Sequence, residues 1–144
     1  MMPSSPVCLF TEGCVVMPEG YTDRTVNAFT PPGDGPAFTL ARDVLKEGEL
    51  LSAYIDRQLA TLEQNLTKWV IRARSEVQAG EGLLTGECIE ASYLRGGQRI
   101  WQQQAVFALE SGMVLVFTMS KTDPLDDADS ARLATLLGSF RFHQ

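Results

Sequence analysis

The segment "RGGQRIWQQQAVFALESGMVLVFTMSK", residues 95–121, decides the fold. It contains two long runs with the side-chain alternation of β-strands, residues 98–110 and 113–121. Ser111-Gly112 separates the runs, and Arg95-Gly96-Gly97 precedes the first one. Short connections that contain glycine are typical of hairpins, so we predict consecutive antiparallel strands.

The same pattern extends towards the N-terminus. Residues 69–78 and 83–94 form two more predicted strands, joined by the short connection "AGEG". Shorter extended segments precede them, at residues 7–10, 14–17, 24–30 and 37–45. The first two flank Glu12-Gly13, which we predict to be a hairpin turn that does not place Cys8 opposite Cys14.

Two segments have helical periodicity or helix signals. Between Glu49 and Leu66, at about 100° per residue, one stripe collects five aliphatic side chains, those of Leu51, Ile55, Leu59, Leu62 and Leu66. Asp123 as N-cap and Pro124 at the first helical position predict a second helix, about 124–137. The order of elements predicts an α+β fold, a single domain over residues 1–144 in which helices pack on a large antiparallel sheet.

Composition and charge argue against several classes of partner. The chain has 144 residues, a net charge of −6 and no run of Lys or Arg, so neither nucleic acid nor an anionic membrane surface is an expected partner. No apolar run approaches the roughly 20 residues of a membrane span, so we do not expect a membrane-embedded protein. The N-terminus lacks the features of a secretory signal, and the odd number of cysteines favours reduced thiols. We therefore expect a cytoplasmic protein.

The residues offer little for catalysis or for metal binding. His143 is the only histidine, which excludes a histidine-based triad and a multi-histidine metal site. The cluster of Asp123, Asp126, Asp127 and Asp129 is typical of a helix N-terminus, where the dipole favours acidic side chains. No glycine-rich phosphate-binding motif occurs. We expect no enzyme, no metal and no cofactor.

The glutamines are the unusual feature. Gln58 lies inside the aliphatic stripe of the first helix, about 20° from Leu51. On the strand, alternation places Ile100, Gln102, Gln104 and Val106 on one face, and Trp101, Gln103, Ala105 and Phe107 on the other, which is the better core candidate. Two interpretations stay open. The amides pair with backbone, with each other or with solvent, or they belong to an apolar groove that binds a helix with small or hydroxylated residues.

Several segments together resemble a known family. They are "VVMPEGYTDRTVNAFTPP" (15–32), "PAFTLARD" (36–43), "LSAYIDRQLATLEQNL" (51–66), "RGGQRIWQQQAVF" (95–107) and "TMSKTDP" (118–124). The combination resembles the DcrB-related family, and within it the Eag group, the effector-associated chaperones of bacterial type VI secretion. The resemblance extends from about residue 9 to residue 142.

The resemblance implies a PsbP-like fold and a homodimer without enzymatic activity. Such chaperones hold the N-terminal transmembrane segments of a PAAR-containing effector, for example one of the Rhs type, soluble in the cytoplasm before it is loaded onto the VgrG spike. The positions that the resemblance assigns to the client-binding groove are Val26, Ala28, Thr39, Gln58, Leu62, Leu66, Ile100, Gln102 and Gln104. Thr39, Ala28 and Leu62 depart in polarity or size from the residues that the family usually carries there. The alternative is a non-enzymatic PsbP-like module that docks a protein or a small ligand and is unrelated to secretion.

Overall fold

A computed structural model describes residues 7–143. The elements in chain order are β1 (Val7–Phe10), β2 (Gly13–Val16), β3 (Asn27–Phe29), β4 (Ala37–Val44), α1 (Leu51–Asn65), β5 (Thr67–Ala79), β6 (Leu84–Arg95), β7 (Gln98–Ala108), β8 (Met113–Lys121) and α2 (Asp127–Gly138).

Six of the strands form one sheet in the order β3-β4-β8-β7-β6-β5, and every neighbouring pair is antiparallel. β5 to β8 are a meander whose hairpins coincide with the glycine-bearing connections of the sequence. The crossover through α1 carries the chain from β4, the second strand of the sheet, to β5 at its opposite edge. The α+β class with a large antiparallel sheet and two helices is confirmed.

The two helices cover opposite faces of this sheet. α1 packs its buried Ile55 and Leu59 against Ile89 and Val106, so we name this side the α1 face. The side chains of the second core belong to the opposite face, the α2 face, and they include Ala105, Phe107, Met119, Leu133 and Leu137. Both faces of β7 are therefore core faces, because each is covered by a helix.

α2 starts later than predicted. Its N-cap is Asp126, and Asp123 and Pro124 lie in the non-helical segment before it, so the prediction of Asp123 as N-cap was wrong. The Asp126 carboxylate accepts from the Asp129 N–H at 2.8 Å, and the Asp129 carboxylate accepts from the Asp126 N–H at 3.0 Å. This reciprocal capping box satisfies two backbone donors, which fixes the start of the helix.

α1 is slightly shorter than the predicted 49–66, because Leu50 and Leu66 are both extended. Glu49 is held outside the helix, where its carboxylate accepts from Arg57 Nε at 3.0 Å and Nη2 at 2.9 Å. The hydrogen bonds from Arg57 and from the Lys46 N–H lower the pKa of Glu49 to about 2. This ion pair anchors the start of α1.

Two strand predictions need correction. β3 is limited to Asn27–Phe29, so Val26 precedes the strand and is not part of it. The turn of the first hairpin consists of Thr11 and Glu12. In the resulting register Leu9 pairs with Cys14 and Cys8 pairs with Val15, which confirms that the two cysteines do not face each other.

Candidate functional site

The three consecutive glutamines of β7 have different environments. Gln103, on the α2 face, is 8% exposed, and its Nε2 donates to Ser130 Oγ of α2 at 2.9 Å. This bond satisfies a buried amide and attaches the helix to the sheet. Gln103 is therefore a structural residue.

Gln102 and Gln104 lie on the α1 face and have no such partner. Gln102 is 6% exposed and Gln104 is half-buried. Neither side-chain amide forms a hydrogen bond within residues 7–143, and the same holds for the half-buried Gln58 on α1. Three amides on one side of the molecule thus keep donors and acceptors that the described chain does not use.

Strand register places Gln104 in a row that crosses the sheet. Residues directly opposite each other in antiparallel strands share a face. Gln104 pairs with Ile89 on one side and with Thr118 on the other, Thr118 pairs with Thr39, and Thr39 pairs with Ala28. The structure therefore brings three predicted positions, Ala28, Thr39 and Gln104, into one line. We call Ala28, Thr39, Thr118, Gln104 and Ile89 the amide row.

Exposure rises steadily along the amide row. Ile89 is 1% exposed beneath α1, the next three residues towards β3 are half-buried, and Ala28 is exposed. α1 contacts β5 and β7, and its Tyr54 hydroxyl donates to Asp43 of β4 at 2.8 Å, so the helix crosses the face obliquely. The amide row stays half-buried to exposed from Gln104 to Ala28. The result is a shallow, weakly polar surface beside the helix.

The remaining predicted positions border this surface to different degrees. Gln102 sits in the neighbouring row, opposite Ala91 and Ser120. Ile100 is only 4% exposed, but it lines a cavity of about 400 Å³ together with Ala37 and Ser120. Val26 is 57% exposed and precedes β3.

On the helix, Leu62 and Leu66 are both half-buried. Leu62 packs against the core cluster beneath α1, so part of its surface is already used within the chain. Leu66 is the C-cap residue and has an extended backbone. The register thus brings Ala28, Thr39, Gln102 and Gln104 onto the α1 face. Leu62 and Ile100 are mostly used in internal packing, and Leu66 lies at the β5 edge, far from Val26 and β3.

Sequence reasoning missed Trp69 on the same face. Trp69 packs against the α1 core, with its ring 6.3 Å from that of Tyr93. Its Nε1–H is enclosed and has no hydrogen-bond partner in the described part of the chain. Thr118 and Ser120 were also missed, and only the β7–β8 register could have revealed them. These three groups are neutral hydrogen-bonding side chains, whereas the charged groups of the same face are already paired, Asp43 with Tyr54 and Arg24, and Glu87 with Arg74.

The aspartates near α2 have structural roles. Burial alone would raise the pKa of Asp129, but the Asp126 N–H and the Lys121 ammonium outweigh burial and hold it below the ordinary value. Asp126 and Asp129 cap the helix, as the dipole argument predicted for this cluster. Within residues 7–143, no group of three or more His, Cys, Asp or Glu side chains is arranged to hold a metal ion. Neither described helix is both long and apolar enough to cross a membrane.

The comparisons with known proteins agree with this fold. The chain is similar to the crystal structure of a Pseudomonas aeruginosa protein of unknown function that is described as a candidate regulator, with a TM-score of 0.76 and 18% sequence identity over 99% of both chains. At that identity the likeness shows the fold alone. No curated protein matches the sequence significantly. The sequence profile of the DcrB family matches residues 12–139, and the chain therefore belongs to the DcrB family.

Proposed function

We propose that this protein is a cytoplasmic chaperone of the Eag type, which shields the N-terminal transmembrane helices of a PAAR-containing type VI secretion effector. One observation carries the proposal: the side-chain amides of Gln58, Gln102 and Gln104 lie on the α1 face and form no hydrogen bond within residues 7–143. Unbonded amides beside aliphatic and hydroxylated side chains suit a partner that is mostly apolar but carries scattered polar groups.

A transmembrane helix in water is such a partner. It exposes about 20 mostly apolar residues. Burying each Leu-sized side chain contributes roughly 1.5–3 kcal/mol, so an unshielded helix aggregates or inserts prematurely. Where the helix carries Gly, Ser or Thr, its hydroxyl and backbone groups are accessible to neighbouring amides. Gln58 and Gln104 would supply directional bonds in addition to undirected burial.

The small side chains of the amide row favour close approach of a client helix. Ala28 and Thr39 present little bulk, and the exposed Val26 extends the apolar surface beyond β3. Leu66, at the end of α1, directly precedes Thr67 of β5, the strand at the opposite edge of the sheet from β3. A client helix would therefore lie across β3, β4 and β8, beside α1.

The other parts of the proposal follow from the role. The protein acts by binding and not as an enzyme, and it works as a homodimer that presents two such faces. The net charge of −6 supports the solubility of a loaded complex. Holding by neutral hydrogen bonds and apolar contacts is reversible, as loading onto the VgrG spike requires.

The test is co-expression with the N-terminal region of a PAAR-containing effector encoded by a neighbouring gene. The wild-type protein is expected to keep that region soluble and to co-purify with it, whereas Val26→Asp or Ala28→Asp should release it into the insoluble fraction. The exposed Gln64, on the opposite side of α1, provides the control variant Gln64→Asp. If the two test variants retain the client as well as this control does, the groove proposal is wrong.

The alternative, a small-ligand or protein-docking module, is favoured by the cavity that Ile100 lines. Its volume of about 400 Å³ suits a small molecule, and its lining includes the charged residues Arg95, Lys121 and Asp123. If the protein is such a module, the Ile100→Trp variant, whose larger side chain fills the cavity, should lose its ligand. The chaperone proposal predicts that variants of Gln58 and Gln104 lose the client.

A further inference from the structure

The α2 face carries a second unusual cluster of side chains. It lies on the opposite face of the sheet from the amide row. Its centre is Ser92 on β6, which is fully buried and pairs with Trp101 on β7. Two guanidinium groups converge on this hydroxyl. Arg99 Nη1 donates to Ser92 Oγ at 2.8 Å, and Arg72 Nε donates to the same oxygen at 3.4 Å.

Neither of these two positive charges is paired with a carboxylate within the described residues. Neither Arg72 nor Arg99 forms an ion pair within residues 7–143, although other arginines of the described chain do. Glu90 faces the same side, opposite Gln103, and makes no ion pair either. Asp129 is engaged by Lys121 at 3.1 Å and by Arg132 at 3.6 Å. Two like charges near one partly buried point repel each other, and a bound anion would relieve that repulsion.

The hydrogen bonds of the cluster show that it has more donors than acceptors. Ser92 Oγ accepts from both arginines, while its own O–H has no acceptor in the described chain. Arg99 uses Nη1 for Ser92 and for the Lys68 carbonyl, and its Nε and Nη2 have no acceptor within residues 7–143. The two terminal nitrogens of Arg72 have none there either. The cluster thus consists almost entirely of donors.

Trp101 fixes the orientation of one of these donors. The central guanidinium carbon of Arg72 lies 4.4 Å from the centroid of the indole ring, a distance at which the cation and the aromatic face attract each other. The stacked guanidinium has less freedom to turn into solvent, so its terminal N–H groups are held in one plane. A planar fork of this kind matches the two oxygens of an oxyanion.

We propose that Arg72, Ser92 and Arg99 form a binding site for an oxyanion, a carboxylate or a phosphate, with Trp101 as its wall. The anion would accept from the free nitrogens of both arginines and stabilise their approach. The site is on the opposite face of the sheet from the amide row, so this proposal does not depend on the chaperone role.

Trp101 also provides the readout. In a Trp69→Phe background it is the only tryptophan, because the sequence contains two. Sodium acetate and sodium phosphate are titrated in separate arms, with chloride at matched ionic strength as the reference, while Trp101 fluorescence is followed. We expect a saturable change in at least one arm. The arm that responds identifies the carboxylate or the phosphate as the source of the oxyanion.

Variants then locate the binding. Arg72→Gln and Arg99→Gln should each weaken it about tenfold, as loss of a charge-assisted pair predicts. Arg141→Gln, at an exposed arginine outside the cluster, should change it less than about twofold. No saturable change in either arm, or equal affinity in all three variants, would overturn the proposal. If the Trp69→Phe protein fails to fold, the side-chain Nε–H signals of Arg72 and Arg99 in the NMR spectrum of the unmodified protein give the same answer.

Discussion

Gln103 on β7 donates to Ser130 on α2 at 2.9 Å, while the side-chain amides of its two sequence neighbours, Gln102 and Gln104, form no hydrogen bond in the described chain. One tripeptide thus contains a structural amide facing one helix and two free amides facing the other. Strand alternation alone separates these roles, because adjacent residues point to opposite faces. The predictions below test this separation and the packing that supports it.

Replacing Gln103 should cost more stability than replacing Gln104. Gln103→Ala removes the bond to Ser130 and leaves a space beneath α2, so we expect a loss of about 1–3 kcal/mol in the free energy of unfolding. Gln104→Ala removes an amide without a protein partner, and we expect a loss below about 1 kcal/mol. Urea unfolding of both variants measures the difference. Equal losses would show that the two amides are not distinguished by their partners.

Asp129 should contribute to stability at neutral pH and lose that contribution in acid. Its folded-state pKa is held below the ordinary carboxyl value of 3.8, so its stabilisation is present above pH 3.8 and disappears as the pH falls through the folded-state pKa. Wild type should exceed Asp129→Asn by about 1–3 kcal/mol at pH 7, since the variant weakens the capping box and the Lys121 ion pair. Unfolding measured from pH 7 to pH 2 should show this gap closing below about pH 4. A gap that stays constant to pH 2 would contradict the assignment.

Cys88 should be the slowest of the three thiols to react. Burial, with a further contribution from the charge of Glu90, raises its pKa to about 11, whereas Cys14 is exposed. The thiolate is the reactive form, so iodoacetamide at pH 8 should label Cys14 well before Cys88. Mass spectrometry of a time course measures the order, and labelling of Cys88 first would disagree with the packing of β6.

Gly86 is a position where no side chain fits. A Cβ there would lie 2.0 Å from the Val106 carbonyl oxygen and 2.8 Å from Phe107 Cδ1. We expect Gly86→Ala to destabilise the protein by more than about 3 kcal/mol, or to prevent folding. Gly13→Ala, where nothing lies within 4 Å, is the matched control and should unfold at nearly the wild-type temperature. If both variants melt alike, the β6–β7 register is wrong.

Much of the fold could be predicted from local signals. The glycine-bearing turns and the alternation of residues 98–121 were sufficient for the meander, and the stripe around Leu59 was sufficient for α1. The predicted start of α2 was wrong because Asp123-Pro124 and Asp126 both have the local sequence features of a helix N-terminus. The reciprocal bonds between Asp126 and Asp129 decide between the two starts. Asp129 is also held by Lys121 of β8, and this second contact is tertiary.

The candidate site could be predicted only in part. Alternation placed Gln102 and Gln104 on one face, but it also favoured the Gln103 face as the core, whereas helices cover both faces. Thr118 entered the site only through the β7–β8 register, which joins residues that are far apart in the sequence. The convergence of Arg72 and Arg99 on Ser92 could not be predicted either, because it depends on the register of three strands, β5, β6 and β7.

The central claim, that the free amides of the α1 face bind a client helix, is tested most directly by the side-chain amide signals of the glutamines in NMR spectra. The N-terminal region of the neighbouring effector would be added to the labelled protein, and the Nε2–H₂ signals of Gln58, Gln102, Gln103 and Gln104 would be followed together. We predict that the signals of Gln58 and Gln104 shift, while that of Gln103, already bonded to Ser130, stays in place. A client that binds without moving the Gln58 and Gln104 signals would contradict the account.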